Sequence, residues 1–402
     1  MPKLALAIVL ILLGALPAAA GTTPEMEAAL TRLGDQVAAG FARKDKPALD
    51  RLIDLRAIGL RAARDAYDTP DQQTAFAKGF ADQRGERLFD ALFTVLDGPE
   101  TSVKMLRLIR RGVVVRPLLR FDYGDLGLDY WELVPERQKD GSYRVVDWYR
   151  LSTGSLLSRD LGGAARLALD PTPGLLDTVL GVKRADARVV ALLKEMGDLE
   201  RAGNLRGALQ KLGQLPPEIT STRLFLQKEL SIVTRLGDDA GYYAVLARLA
   251  KVCGKDPSCA LLLLDHHLQR HEYDLALADL AMVESRVGSD SYIEMLRATV
   301  HHEKKSFGPM VEAAGAAIRL EPELENAYFL LALGHTRLAK FAKAIEVYEQ
   351  ISAKFGYELT RESFEGNPDN AELVESPEFR AWIAASEGSV PSRSAPASPA
   401  QP

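Results

Sequence analysis

Apolar residues recur along the chain with two different spacings, and these divide it into three regions. Between residues 22 and 100, as in "PEMEAALTRLGDQVAAGFARKD", they return every three or four positions, the spacing of an amphipathic helix. Residues 101–154 instead contain β-branched and aromatic runs such as "GVVVRPLLRFDY", which predict strands. From residue 185 onward the helical spacing returns. The pattern therefore predicts an α+β region followed by an all-α region.

The strand-rich stretch contains a hairpin signal. Its last two runs, "LDYWELVPER" and "SYRVVDWYRL", are separated by "QKDG", and Asp-Gly between strand-like segments is typical of a hairpin turn. We therefore expect helices plus a curved antiparallel sheet in this region.

Residues 156–188 are predicted to be a linker or helix. The Pro/Ser/Ala-rich tail at 387–402 is predicted to be disordered, because this composition cannot bury a core.

The second helical region repeats every 34 residues. An aromatic residue or leucine is followed three positions later by a small or flexible apolar residue, and four pairs share this pattern: Phe341/Ala344, Phe307/Met310, Tyr273/Ala276 and Leu205/Ala208. The equivalent position at Asp239 does not match. The chain divides without gaps into the units 189–222, 223–256, 257–290, 291–324 and 325–358. Each is predicted to be a helical hairpin that stacks on its neighbours.

The last two units match the positions of a known repeat. Matching residues are Pro322, Tyr328, Leu331, Ala332, Phe341, Ala344 and Tyr348, whereas His335 stands where the pattern has tyrosine. Over residues 189–358 the chain thus resembles the tetratricopeptide repeat family. The resemblance implies an all-α solenoid whose first helices line a groove for a segment of another protein. Residues 359–386 are predicted to be C-terminal capping helices.

The same resemblance implies which side chains face the groove. In the last two units they are Tyr292, Met295, Thr299, His302, Glu303, Asn326, Phe329, Leu333, Thr336 and Arg337. Aromatic, methionine and mixed polar side chains suit an extended or helical protein segment. Tyr292 and Phe329 are expected to be exposed anchors. The alternative is that several of these residues pack against the C-terminal helices, because apolar stripes at helical spacing usually face a core.

Residues 22–155 resemble a different family. Helices precede strands that end in "GSYRVVDWYRLSTG", where Gly141, Val145, Val146, Asp147 and Trp148 match. This arrangement is similar to the nuclear-transport-factor-2-like cone fold, with a generic α+β domain as the alternative. The resemblance implies a pocket between sheet and helices. In enzymatic members of that family an Asp, His or Tyr in the pocket transfers protons.

Four residues are candidates for such chemistry. Alternation along a strand places Asp147 with Tyr149 on one face, and Tyr130 with Glu132. They belong to an alternative function, a small-molecule-binding or isomerase-like pocket with the repeats as an assembly module. No histidine occurs before residue 266, and an aspartate in a strand is commonly a hydrogen-bonding residue. We therefore favour a protein without enzymatic activity.

The start of the chain is typical of a secretory signal peptide. Lys3 precedes an apolar run that ends at Leu16, and three alanines occupy 18–20. The run is short for a membrane span, and small residues suit signal peptidase. Cleavage after Ala20 predicts a periplasmic or secreted protein that is not integral to the membrane. An uncleaved anchor is the alternative.

An exported chain favours a disulfide between its only two cysteines. Cys253 and Cys259 lie in "VCGKDPSC", where Gly254 and Pro257 suit a turn between helices. Two free thiols are the alternative. The spacing does not support a metal or redox pair.

Charge and motifs narrow the remaining classes. The net charge is −5 and the densest basic run is "RLIRR" at 107–111, so binding to nucleic acid is not expected. His267, His301 and His335 share one repeat position and form what we call the histidine ladder. Packing accounts for this ladder better than metal does, because zinc needs three or four converging ligands. No cofactor is predicted, since phosphate loops and catalytic triad motifs are absent from the sequence.

The sequence therefore predicts an exported, non-enzymatic adaptor. The repeats hold a segment of an unidentified protein partner from the envelope or the exterior, and the N-terminal domain offers a second docking surface.

Overall fold

The structure is a computed structural model that describes residues 22–98, 101–124, 127–169, 187–254 and 256–388. The chain forms two compact units, Met1–Leu262 and Leu263–Pro402, which we call unit 1 and unit 2. The predicted signal peptide lies outside the described residues, as do 170–186 of the linker and 389–402 of the tail. Among the described helices, none has the length and apolar character needed to cross a membrane.

Unit 1 begins with helices that start at well-defined caps. They are α1 (Pro24–Ala42), α2 (Lys46–Leu52), α3 (Leu55–Ala66), α4 (Pro70–Gly79), a π-helical turn (Phe80–Arg84) and α5 (Gly85–Val95). The side chains of Thr23, Asp45, Asp54 and Thr69 each accept a hydrogen bond from a backbone N–H in the first turn of α1 to α4. Such caps satisfy N–H groups that have no partner inside the helix, so these four starts are locally encoded.

A five-stranded antiparallel sheet follows. Its strands are β1 (Ser102–Arg111), β2 (Val114–Asp122), β3 (Leu128–Arg137), β4 (Tyr143–Arg150) and β5 (Ser155–Leu156), and each pairs with the next in the chain. The pairing register shifts in β1 between Met105 and Arg107, and in β4 between Val145 and Asp147, which pair with the adjacent Pro135 and Val134 of β3. Irregularities of this kind bend strands and increase their twist. The helix α6 (Leu157–Leu169) comes directly after β5.

An aromatic stack forms the centre of the unit 1 core. The rings of Trp131 and Trp148 on neighbouring strands are parallel, with centroids 5.3 Å apart. Phe121 stacks on Trp131 at 4.0 Å, and Phe41 of α1 meets Phe121 edge to face at 5.3 Å. The sheet therefore packs one face against α1. The predicted combination of helices with an antiparallel sheet is confirmed.

The remaining helices follow one another as hairpins. In unit 1 they are α7 (Ala187–Arg201), α8 (Leu205–Leu212), α9 (Pro217–Thr220), α10 (Arg223–Leu236) and α11 (Asp239–Cys253). The division between the units falls within α12 (Ala260–Gln269). Unit 2 continues with α13 (Tyr273–Val287), α14 (Ser291–Glu303), α15 (Phe307–Leu320), α16 (Glu325–Arg337) and α17 (Phe341–Phe355). It ends with α18 (Arg361–Glu365), α19 (Ala371–Val374) and α20 (Pro377–Gly388). The predicted helical region is confirmed.

Helix starts follow the 34-residue period. The helices α8, α11, α13, α15 and α17 begin at Leu205, Asp239, Tyr273, Phe307 and Phe341. A helix therefore starts at Asp239, although that residue breaks the sequence pattern. Its start has a local cause, because the side chain of Asp238 accepts a hydrogen bond from the backbone N–H of Gly241.

The turn before each of these helices also repeats. Gly203, Gly237, His271, Lys305 and Ala339 are 34 residues apart, and all have positive φ, from 74° at Gly203 to 53° at Ala339. At each turn the next backbone N–H donates to the carbonyl oxygen five residues earlier, at 2.8–3.0 Å. This is the Schellman arrangement that ends many helices. Glycine adopts such backbone angles without strain, whereas the last three turns use other residues.

A polar junction connects the sheet with the helices of unit 1. The carbonyl oxygen of Ser152, just after β4, accepts hydrogen bonds from Gln227 Nε2 (3.0 Å) and Arg223 Nη2 (3.4 Å) of α10. Arg223 also pairs with Asp256 at 2.7 Å. Asp256 lies between the cysteines, and the predicted disulfide Cys253–Cys259 is present, with Cα atoms 6.1 Å apart. The disulfide therefore closes a loop that supports this junction.

Candidate functional site

A cavity of about 470 Å³ lies in unit 2, beside α14 and α16. Ten residues line it: Met295, Thr299, Asn326, Phe329, Leu330, Leu333, Tyr348, Asn367, Asp369 and Asn370. Five of these, Met295, Thr299, Asn326, Phe329 and Leu333, belong to the groove predicted from the sequence. The structure thus brings half of the predicted groove residues to one cavity.

Helical spacing explains how these five side chains meet. Met295 and Thr299 are four residues apart on α14, so they lie on one face. On α16, Asn326 is three residues before Phe329, which is four residues before Leu333. The side chain of Asp290 caps α14 by accepting a hydrogen bond from the backbone N–H of Tyr292 at 3.1 Å. The helices α14 and α16, which are the first helices of the last two repeat units, each present one such face to the cavity.

The C-terminal segment forms another wall of the cavity. A short 3₁₀ turn, Pro368–Asn370, contributes Asp369 and Asn370. Arg337, a predicted groove residue, pairs with Asp369 at 2.6 Å and with Glu372 at 3.6 Å. The alternative that some groove residues pack against the C-terminal helices therefore applies to Arg337.

Buried polar groups reinforce this wall. The hydroxyl of Tyr348 donates to Asn370 Oδ1 at 3.0 Å, and the backbone N–H of Asp369 donates to Asn367 Oδ1 at 3.0 Å. Burial, together with the nearby Asp369 carboxylate, raises the pKa of Tyr348 to about 12, so the hydroxyl keeps its proton. The turn 367–370 is thus fixed by hydrogen bonds.

The structure corrects the expectation of exposed anchors. Phe329 is half-buried and meets the ring of Tyr357 edge to face, with centroids 5.5 Å apart. Tyr292 is also half-buried and packs near Leu324 and Ala327 rather than lining the cavity. The expectation was wrong because stacking neighbours and the segment after α17 cover these faces.

Three further groove residues lie away from the cavity. Thr336 is fully buried, and its hydroxyl donates to the carbonyl oxygen of Ala332 at 3.1 Å. His302 and Glu303 lie at the end of α14, where His302 Nδ1 is 3.4 Å from a carboxylate oxygen of Glu303. Neither lines the cavity. The structure therefore separates a central part of the predicted groove from its two ends.

The histidine ladder has different partners at each level. His267 Nδ1 lies 2.6 Å from Asp279 Oδ2, and burial raises the pKa of the Asp279 carboxyl. At His301 and His335 burial lowers the imidazole pKa, and Nδ1 of each has no hydrogen-bond partner among the residues that the structure describes. Within the described ranges, no group of His, Cys, Asp and Glu side chains could hold a metal ion.

The four alternative catalytic candidates share one face of the sheet in unit 1. Glu132 is directly opposite Tyr149, and Asp147 is opposite Val134 on the same pair of strands. Tyr130 lies two residues before Glu132 and is fully buried. The Glu132 carboxylate is paired with Arg111 at 2.8 Å and Arg116 at 3.3 Å.

The surroundings of Asp147 give it a structural role. Its carboxylate accepts hydrogen bonds from the backbone N–H of Trp148 (2.9 Å), and from the backbone N–H (3.1 Å) and hydroxyl (2.5 Å) of Ser158. Burial raises the pKa of this carboxyl. Because Ser158 lies in the first turn of α6, Asp147 fixes the start of that helix against β4.

A second cavity, of about 830 Å³, lies in unit 1 between α1, α2 and the turn that joins β3 to β4. Its lining includes Arg32, Arg51 and Arg144 together with Asp50 and Asp140. None of the four alternative catalytic candidates belongs to it. The sheet face that carries those candidates is therefore a different part of unit 1.

Sequence reasoning missed the contribution of residues 367–370. "NPDN" contains signals of a turn, which predict its conformation but not its neighbours. Its contacts with α16 and α17 depend on Arg337 and Tyr348, which precede this turn by about 20 to 30 residues. Only the folded chain brings them together.

No protein-family model and no curated protein matches the chain. Parts of the chain are similar to solved structures of MamA. The 41-end form from Desulfovibrio magneticus RS-1 is 18% identical, and the match covers 42% of this chain and 95% of that one, with a TM-score of 0.35. A crystal structure of MamA protein is 13% identical over 43% of this chain and 97% of its own, also with a TM-score of 0.35. We therefore base the proposed function on the contacts of this chain.

Proposed function

We propose that the chain is a non-enzymatic adaptor that holds a segment of a partner protein in the unit 2 cavity. In this proposal residues 189–358 form a tetratricopeptide-repeat-like solenoid, and residues 22–155 form a nuclear-transport-factor-2-like domain with a second docking surface. The main support is the convergence of Met295, Thr299, Asn326, Phe329 and Leu333 on one cavity. The repeat resemblance assigns all five to the groove.

The size and chemistry of the cavity suit a short stretch of polypeptide. A volume of about 470 Å³ is within the range of small-ligand sites. Met295, Phe329 and Leu333 provide an apolar surface, which favours an apolar side chain of the partner. Thr299 and Asn326 add polar groups that can fix its orientation.

A small-molecule function in unit 1 has weaker support. The oxygens of Asp147 accept hydrogen bonds from Trp148 and Ser158, and the carboxylate of Glu132 is paired with two arginines. These contacts account for both residues without a reaction. The adaptor proposal therefore gives them structural roles.

We also propose that the adaptor is exported and begins at Gly21 after signal cleavage. The support is the sequence of residues 1–20, with a short apolar run before small residues, together with the disulfide, which forms in oxidising compartments. Intact-mass measurement of the protein from fractionated cells tests this, since retention of Met1 or recovery from the cytoplasm contradicts export.

Capture of a partner from envelope extract tests the adaptor function. We expect Phe329→Ala to reduce the affinity for the captured partner by about 1–3 kcal/mol, because a central aromatic side chain often dominates a binding site. Phe329 also contacts Tyr357, so stability will fall as well. Tyr357→Ala is the control, because it removes the same ring contact, together with the hydrogen bond from the Tyr357 hydroxyl to Glu325, from a residue outside the cavity.

The two variants separate binding from folding. Tyr357→Ala should lower the melting temperature to a similar extent and leave capture unchanged, when both are measured well below the transition. Equal losses of capture in the two variants, or no loss in Phe329→Ala, would contradict binding in this cavity.

A further inference from the structure

One buried amide in the wall of the unit 2 cavity has an unused hydrogen-bonding group. Asn370 is only 6% exposed and lines the cavity. Its Oδ1 accepts the hydrogen bond from the hydroxyl of Tyr348 at 3.0 Å. Within the part of the chain that the structure describes, its Nδ2 makes no hydrogen bond. The Nδ2 group is therefore available to donate to an acceptor on a ligand in the cavity.

The charges around the cavity restrict the ligand further. Among the described residues that line the cavity, Asp369 is the one with a charge, and its carboxylate is paired with Arg337 at 2.6 Å. The other polar lining residues are neutral: Thr299, Asn326, Tyr348, Asn367 and Asn370. A charged ligand would lose hydration without gaining an unpaired partner of opposite sign. An uncharged ligand avoids this cost.

The neutral polar groups lie beside an apolar surface. Met295, Phe329 and Leu333 line the same cavity as Asn370. A peptide backbone combines a carbonyl acceptor with a side chain a few ångströms away, and a short apolar residue therefore satisfies both surfaces together. A free carboxylate accepts a hydrogen bond but brings a charge that has no unpaired partner in the lining, and an ammonium offers no acceptor.

We infer that the cavity binds an internal, uncharged backbone segment bearing an apolar side chain, and that Asn370 determines this specificity by donating to a backbone carbonyl. The inference rests on the proposed function and adds the chemistry of the partner. It also gives the C-terminal turn a direct part in binding, in addition to its packing against α16.

The test uses the full chain with ¹³C-methyl-labelled methionine and the probe N-acetyl-leucine amide. Met295 lines the cavity, so its methyl signal, assigned through Met295→Leu, reports occupancy. We expect saturable binding in the millimolar range for so small a ligand. Free leucine, which carries both terminal charges, should bind about tenfold or more weakly.

Two variants examine Asn370 directly. Asn370→Asp keeps the shape of the side chain and the acceptor for Tyr348, but replaces the donor with an anionic acceptor. Asn370→Ala removes both groups. Each should weaken binding of the capped probe by about tenfold. Gln350→Ala, at an exposed site on α17, is the matched amide control and should not change it.

The possible results separate this inference from the function it rests on. Unchanged probe binding in both Asn370 variants overturns the role of Asn370 and leaves binding in the cavity standing. No shift at Met295, while partner capture still depends on Phe329, overturns the capped-backbone chemistry alone. If the Met295 signal does not shift and partner capture does not depend on Phe329, the adaptor function is overturned as well. Equal binding of leucine and the capped probe contradicts selection for an uncharged segment.

Discussion

The sheet region of unit 1 and the helical hairpins of unit 2 are stabilised in different ways. In the sheet, buried carboxylates join distant parts of the chain: Asp129 accepts hydrogen bonds from the backbone N–H and hydroxyl of Ser152, and Asp147 accepts the same pair from Ser158. In unit 2, fully buried alanines such as Ala298, Ala314 and Ala344 allow close helix packing.

This difference predicts which substitutions will destabilise each region. Removing one carboxylate from the sheet leaves several buried donors unpaired at once, which is costly. A hairpin instead depends on the volume of its small residues and on the backbone angle of its turn. The following changes test this contrast, beginning with the largest expected effect.

Asp129→Ala should destabilise unit 1 by about 3–5 kcal/mol. The carboxylate accepts four hydrogen bonds, from the N–H of Tyr130, the indole of Trp131, and the N–H and hydroxyl of Ser152, all at 2.7–2.9 Å. Urea unfolding followed by tryptophan fluorescence measures the loss, since Trp131 and Trp148 lie in this core.

The control for that change is Asp140→Ala in the exposed turn between β3 and β4. Asp140 also accepts hydrogen bonds from the N–H and hydroxyl of one serine, Ser142, at 2.9 and 2.6 Å. Because water can replace these contacts, we expect a loss of about 1 kcal/mol or less. Similar losses at Asp129 and Asp140 would show that burial is not the cause.

Ala344→Leu should destabilise unit 2 by up to about 3 kcal/mol, because a larger side chain overfills a closely packed site. Ala344 is fully buried in the cluster that includes Tyr348 and Phe379. Thermal unfolding followed by circular dichroism measures the change. Ala342→Leu on the exposed side of the same helix should have little effect, and a loss of equal size there would contradict the role of small-residue packing.

Replacing Cys253 and Cys259 together with serine should cost about 2 kcal/mol, because the disulfide closes only a short loop. We expect the junction at Ser152 to loosen, since Asp256 in that loop holds Arg223. Hydrogen exchange at α10 and after β4 measures this. Faster exchange confined to the loop, with the junction unchanged, contradicts the coupling.

Ala339→Gly should stabilise unit 2 by roughly 1 kcal/mol, because residues with a Cβ pay an energetic cost in left-handed backbone angles. Ala339 has a φ of 53°. The measurement is the urea midpoint, compared with that of the exposed helical control Ala342→Gly, which should destabilise by a similar amount. A loss of stability in Ala339→Gly would indicate that the methyl group makes contacts that outweigh the strain.

Much of the helical region could be predicted because its information is local. The 34-residue spacing was visible in residues such as Phe307 and Phe341, and helices begin at those residues. The disulfide was predictable from the number and spacing of the cysteines. The antiparallel sheet was predictable from its strand runs and the Asp-Gly turn, and the strands pair in that way.

The rest depends on contacts that spacing does not encode. The link between Asp129 and Ser152 spans 23 residues, and nothing local identifies that serine as its partner. The same limit applies to the cavity, where the sequence placed Met295 and Phe329 in a groove but gave no reason to place Asn370 opposite them. The left-handed turns at His271, Lys305 and Ala339 could not be predicted, because glycine, the usual signal of such a turn, is absent there.

The recurrence of one turn conformation makes the array modular for protein engineering. His271 and Lys305 have the same φ of 58°, and each lies one residue before a backbone N–H that closes the preceding helix. A deletion that joins one turn to the next removes a whole hairpin, and the backbone on both sides of the cut already has the conformation needed to rejoin. These positions are therefore natural boundaries for shortening the array or inserting a hairpin from another protein.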